Sequence, residues 1–91
     1  MNIAIVEDNP ANADILKEHI SRFASENHII MNTFVFSNGF NFLKSYTPAW
    51  DLILMDIEMP HMNGIETARK IREKDSEVLI MFITQMAQYA I

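Results

Sequence analysis

Leu52-Ile53-Leu54-Met55-Asp56-Ile57-Glu58-Met59-Pro60-His61-Met62-Asn63-Gly64 is the stretch that decides the fold. Leu52 to Met55 run without a polar break and stop at an aspartate. A run with no polar face reads as a strand buried on both sides, as in a parallel sheet. A loop follows, in which Pro60 fixes one backbone angle and Gly64 permits a tight passage into the next helix. Ile65, Ala68 and Ile71 carry that helix to about Lys74, with Asn63 as its cap.

The same unit repeats on either side. Ile3 to Val6 is an apolar run halted by Glu7-Asp8-Asn9-Pro10. Pro10 suits a first helical position, with Asn9 or Asp8 as the cap. Ala13, Leu16, Ile20 and Phe23 recur at spacings of three and four, the stripe of a helix that faces a core. The stripe fades at Ser25-Glu26-Asn27. Ile29 to Phe36 reads as a second strand, broken by Ser37-Asn38-Gly39. Phe40 and Leu43 begin a short helix that ends near Thr47, because Pro48 follows. Val78 to Ile83 is a fourth strand, and Thr84 to Ile91 reads as the start of a fourth helix. Met55 and Met81, in strands, read as core fillers, Met59 and Met62 as shapers of the loop after Asp56, and Trp50 as a packing residue before the third strand. Strands that alternate with helices predict a doubly wound parallel α/β sheet, covered on both faces, as one domain over residues 1–91.

Composition narrows the function. At 91 residues and 49% hydrophobic, the chain has the means for one small core. Its formal charge of -5 supplies no basic footprint for nucleic acid and favours a cation or a basic protein partner. Cysteine is absent, so disulfides and thiolate metal sites are excluded. The N-terminus has no basic leader, and Val78 to Ile83 is too short to span a bilayer. The expectation is a cytoplasmic protein with no membrane or direct nucleic-acid partner.

In a sheet of this kind, chemistry gathers beyond the carboxyl ends of the strands. The first strand ends at Glu7-Asp8, the third at Asp56 and the fourth at Thr84. Each has an ordinary reading. Glu7-Asp8 serves as a helix cap about as often as a functional pair; Asp56 alone is a turn residue; Thr84 alone is a cap. The conjunction says more. Three carboxylates repel one another unless a cation offsets them, and Mg²⁺ prefers such oxygens together with phosphate. A carboxylate nucleophile, a cation and a hydroxyl are equipment for phosphoryl transfer.

Ile5-Val6-Glu7-Asp8-Asn9, Asp56 to Gly64 and Phe82-Ile83-Thr84 together resemble the receiver domain of two-component response regulators. The resemblance covers the whole chain. It implies a flavodoxin-like fold with strand order 2-1-3-4-5. It implies that Asp56 is the phosphoacceptor and that Asp8, Asp56 and the backbone carbonyl of Glu58 hold Mg²⁺, with Glu7 acting through water. Thr84 becomes the switch hydroxyl, and Pro60 and Gly64 shape the loop after the acceptor. The phosphoryl donor becomes a histidine kinase. No separate enzyme activity is implied beyond self-phosphorylation from a donor and autodephosphorylation. Phe82-Ile83-Thr84 with Gln88-Tyr89-Ala90-Ile91 is similar, more weakly, to receivers that carry a LytTR-type DNA-binding output domain. Tyr89 falls on the expected signalling face and reads equally as a packed aromatic.

Two departures accompany the resemblance. The family has a fifth strand, with a lysine at its end, and a fifth helix; the expectation is an incomplete receiver that lacks both, together with its transcriptional output domain. Lys17, Lys44, Lys70 and Lys74 all fall in or near helices, so none takes that lysine's place. Strand four then becomes an apolar edge, which predicts self-association. Two competing functions are a phosphorylation-independent protein-interaction domain and a Mg²⁺-dependent phosphatase with an aspartate nucleophile. The second usually sets its nucleophile after the first strand with another Asp two residues on, a spacing that Glu7-Asp8-Asn9-Pro10 lacks. Nucleotide binding is disfavoured, since Gly39 and Gly64 are the only glycines.

Overall fold

The computed structural model describes residues 1–83. Their elements are β1 (Asn2–Val6), α1 (Pro10–Glu26), β2 (Asn32–Phe36), α2 (Gly39–Lys44), β3 (Leu52–Asp56), α3 (Gly64–Lys74) and β4 (Leu79–Ile83). The helix expected over Thr84 to Ile91 lies outside the described residues.

All strands are parallel, in the order β2-β1-β3-β4. This is the flavodoxin-like receiver order expected for these four strands. The apolar runs explain why β1 and β3 are central. Ile3, Ala4, Ile5 and Val6 are buried, as are Ile53, Leu54 and Met55. One sheet face places Ala4, Val6, Ile53 and Met55 against Phe42 of α2 and Ile71 of α3. The other places Ile3, Ile5 and Leu54 under Leu16 and Ile20 of α1. Each fully buried Val, Leu, Ile or Met side chain contributes roughly 1.5–3 kcal/mol, so the seven buried apolar residues of β1 and β3 dominate the core.

Caps set the helix starts. Asn9, not Asp8, caps α1: its side chain accepts from the N–H groups of Ala11 and Asn12. Asn38 caps α2 and Asn63 caps α3 in the same way. Trp50 packs as expected, edge-on to Phe34 and Phe36 and tilted against Phe42.

Four sequence expectations need correction. β2 begins at Asn32, where its pairing with Asn2 begins, so Ile29 and Ile30 precede it and are exposed. The stripe on α1 is not core throughout: Ala13 is buried, Leu16 and Ile20 are half-buried, and Phe23 is 51% exposed on the last turns. α1 outruns the sheet it covers, and Phe23 is absent from both core clusters. Met81 does not fill the core, since β4 is an outer strand and leaves it 53% exposed. Met59, expected to shape a loop, is instead buried with Phe42, Met55 and Ile71.

Candidate functional site: an acidic cluster at the carboxyl edge

Register builds the site. Val6 of β1 lies beside Met55 of β3, so the next residues, Glu7 and Asp56, emerge together at the carboxyl edge. Asp8 follows at the turn into α1. Oxygens of Glu7, Asp8 and Asp56 all lie within 4.8 Å of one another. Glu7 and Asp56 are buried, while Asp8 is exposed.

Each buried carboxylate has N–H donors. Glu7 Oε1 accepts from the Asn9 backbone N–H and from Asn12 Nδ2, both at 3.3 Å. Asp56 Oδ1 accepts from the Glu58 backbone N–H at 3.2 Å. These neutral donors do not cancel the charge. Burial, then the hydrogen bond and charge of Glu7, push the Asp56 carboxyl up to about 7, with Asp8 adding to the rise and the Glu58 N–H opposing it. Among the described residues the one side-chain ion pair is Arg22 with Glu18, on the exposed surface of α1. Among the described residues, no basic side chain pairs with the cluster.

Three carboxylates with one exposed member suit a hard cation that keeps part of its water shell, and Mg²⁺ is such an ion. The donor set therefore fits the metal that the sequence implied. Asp8 and Asp56 would be its direct ligands, with the Glu58 backbone carbonyl and a water on Glu7 beside them.

The loop after Asp56 is held tightly. The Gly64 N–H donates to Ile57 O at 3.0 Å, and the Met62 N–H to Pro60 O at 2.8 Å. A Cβ on Gly64 would sit 2.2 Å from the Asp56 carbonyl oxygen and 2.9 Å from Met55 Cγ. Gly64 thus lets α3 begin directly against the backbone of Asp56. Its φ is not positive, so closeness, and not an unusual backbone angle, is the reason for glycine. His61 is exposed with φ 71°, a turn residue of this loop. Thr84 and Tyr89 lie outside the described residues.

Sequence reasoning missed Asn12. It lies off the apolar stripe of α1 and points its amide at Glu7. Its place in the first turn after the acidic pair was the available signal. The reading also missed Thr67, fully buried on α3, whose hydroxyl donates to Asn63 O at 2.9 Å.

The response regulator receiver domain family matches residues 3–91. The autoinducer 2 sensor kinase/phosphatase LuxQ of Vibrio parahaemolyticus is 36% identical over 80% of this chain and 8% of its own length. Two-component response regulator 24 of Arabidopsis thaliana is 32% identical over 91% of this chain and 57% of its own. The chain thus spans a minor part of the first relative and little more than half of the second. Sensory transduction protein LytT of Oceanobacillus iheyensis is 40% identical over 56% of this chain and 21% of its own. Among solved structures, response regulator TrrA of Thermotoga maritima, in complex with Mg²⁺ and BeF, superimposes with a TM-score of 0.81 at 30% identity, covering 97% of this chain and 72% of that one. TrrA in complex with the histidine kinase ThkA gives a TM-score of 0.78 over 99% of this chain and 73% of that one, again at 30% identity.

Proposed function

We propose, for a chain that belongs to the response regulator receiver domain family, that Asp56 accepts a phosphoryl group from a histidine kinase. The convergence of Glu7, Asp8 and Asp56 at one sheet edge carries this reading. The similar regulator TrrA, bound to the histidine kinase ThkA in one structure and to Mg²⁺ and BeF in another, supports it.

An Asp56 oxygen attacks phosphorus, a P–O bond forms to the carboxylate, and the donor's P–N bond to imidazole breaks. The imidazole leaves with the electron pair and takes up a proton. Hydrolysis reverses the state: water adds to phosphorus, the acyl P–O bond breaks, and the carboxylate returns with inorganic phosphate. Asp56 must be ionised to attack, and its surroundings resist that. A bound Mg²⁺ would supply the positive charge that both the carboxylate and the phosphoryl oxygens need. The chain's own residues prepare the rest. The Glu58 N–H orients Asp56, Asn12 and Asn9 fix Glu7, and Gly64 holds α3 against the acceptor's carbonyl. Thr84 is the proposed switch hydroxyl, and Tyr89 the proposed residue of the signalling face.

Incubation with acetyl phosphate and Mg²⁺, followed by intact mass, tests this reading. One phosphoryl adduct is expected, absent without Mg²⁺ and absent in Asp56→Asn. Labelling that persists in Asp56→Asn would reject Asp56. A cytoplasmic setting and a transcriptional output module of LytTR type belong to the same proposal, the second in keeping with the similarity to sensory transduction protein LytT. No described helix is long and apolar enough to cross a membrane.

Self-association through β4 belongs to the same proposal. Leu79, Met81 and Phe82 are exposed on it, and no described strand pairs with its outer edge. An apolar strand with unpaired N–H and C=O groups is a template for a second one. Sedimentation velocity should show a dimer that Met81→Lys dissolves; a monomer at all concentrations would refute it.

A further inference from the structure

The chain carries seven basic residues, and five of them, Lys44, Arg69, Lys70, Arg72 and Lys74, lie on α2 and α3. Three of these, Lys44, Lys70 and Lys74, rim a single open groove of about 530 Å³ between the two helices. Phe40, Leu43 and Met62 form its floor. Phe40 is 67% exposed, and no carboxylate lines the groove. None of the three lysines has an ion-pair partner among the described residues. Lys70 and Lys74 stand at i and i+4 on α3, a like-charge pair that disfavours the helix unless an anion comes between them.

We infer that the groove between α2 and α3, floored by Phe40, Leu43 and Met62 and rimmed by Lys44, Lys70 and Lys74, is a docking site for an acidic protein segment that presents an apolar side chain between carboxylates. Charge complementarity selects this occupant. A purely apolar partner would leave three cations at its rim without counter-charges. An extended polyanion, such as nucleic acid or a charged membrane, would meet the remainder of the chain. That remainder has four basic and twelve acidic residues, a charge of -8 once the three lysines are set aside from the total of -5. A short acidic segment with one apolar anchor gains from the patch and avoids the rest. The site is separate from the acidic cluster. It adjoins that cluster only through the loop after Asp56, whose Met62 lines the floor.

A fluorescein-labelled helical peptide, with leucines at i, i+3, i+4 and i+7 and glutamates beside them, serves as probe in fluorescence polarisation. The protein is expected to bind it and to ignore the same peptide with lysine in place of glutamate. Lys44→Glu/Lys70→Glu/Lys74→Glu should weaken binding about tenfold or more. Phe40→Ser should weaken it too, and added salt should act most on the charged contribution. All four positions are exposed on the surface or at its rim, so thermal unfolding and acetyl phosphate labelling of these variants should match the parent. No binding up to about millimolar peptide would overturn the assignment. So would equal binding by the triple variant, or tighter lysine-dependent binding to anionic vesicles or to duplex DNA.

Discussion

Asp56→Asn should make the metal-free protein more stable at neutral pH, and the gain should grow with pH. The buried carboxyl is pushed up to about 7 from 3.8 by burial and by Glu7. A raised carboxyl in the folded state favours the protonated form. The stability tied to that proton is intact below the unfolded value, is lost as pH rises, and is fully gone above the folded value. One pKa unit corresponds to about 1.4 kcal/mol. Between pH 5 and pH 7 the wild type therefore loses at most about 2.7 kcal/mol from this group. Water at the open side of the site screens part of it, which leaves a loss of about 1 kcal/mol or more. Asparagine keeps the shape and carries no proton to lose.

Urea unfolding of both proteins at several pH values between 5 and 8, in chelator, measures the difference. The comparison between wild type and Asp56→Asn cancels groups that titrate far from the site. The gap should widen by about 1 kcal/mol or more across this range. Mg²⁺ at ten times its dissociation constant should raise the wild type by about 1.4 kcal/mol at pH 7.5 and flatten its pH dependence. Parallel pH curves for the two proteins would refute the electrostatic account of the site.

Other substitutions probe how the site is held. Gly64→Ala should destabilise by about 2 kcal/mol or more and lower Mg²⁺ affinity, because the added Cβ meets Asp56 backbone at 2.2 Å; unfolding and metal titration in one sample check both. Gly39→Ala should cost about 1–3 kcal/mol, since its Cβ would meet Thr67 Oγ1 at 2.1 Å, and part of that should return in Gly39→Ala/Thr67→Ala, as a double-mutant cycle would show. Tyr46→Phe removes a 2.7 Å hydrogen bond from the phenol to Asp75 Oδ2, linking the segment after α2 to the end of α3; a loss of about 1 kcal/mol in denaturant unfolding is expected. In the same variant the Asp75 carboxyl, held low first by that hydrogen bond, should titrate at higher pH by carbon-detected NMR.

The central architecture was legible because β1 and β3 are apolar on both faces. Ile3 to Val6 and Leu52 to Met55 state their burial in their own composition. The outer strands were less clear for the same physical reason. β4 is apolar throughout and β2 ends in Phe34-Val35-Phe36, yet Phe34, Val35, Leu79 and Met81 are exposed because nothing described lies beyond these strands. Hydrophobic pattern reports what a residue prefers, and pairing order decides what it receives. Phe23 fails likewise: the helical period is right, but α1 extends past its cover. For the site, Asp56 and Glu7-Asp8 were readable from strand ends. The amide of Asn12 on Glu7 was not, because its role depends on the side chain of a particular neighbour and not on period or spacing.

The glycines show how far composition alone reaches. Gly39 was read as the break after a strand and Gly64 as a tight passage into the next helix, and both are close-approach residues. Gly39 starts α2 against Thr67 of α3, and Gly64 starts α3 against Asp56 of β3. The Asp56 carbonyl, α3 and α2 are therefore packed in sequence without room for a methyl group at either joint. A displacement of the Asp56 backbone toward Gly64 would press on the start of α3, whose Thr67 faces Gly39 of α2. The floor of the basic groove lies along this line, with Met62 in the loop before Gly64 and Phe40 directly after Gly39. Tight packing at two glycines thus sets Asp56, α3 and α2 in direct succession, a line of contacts that does not involve β4.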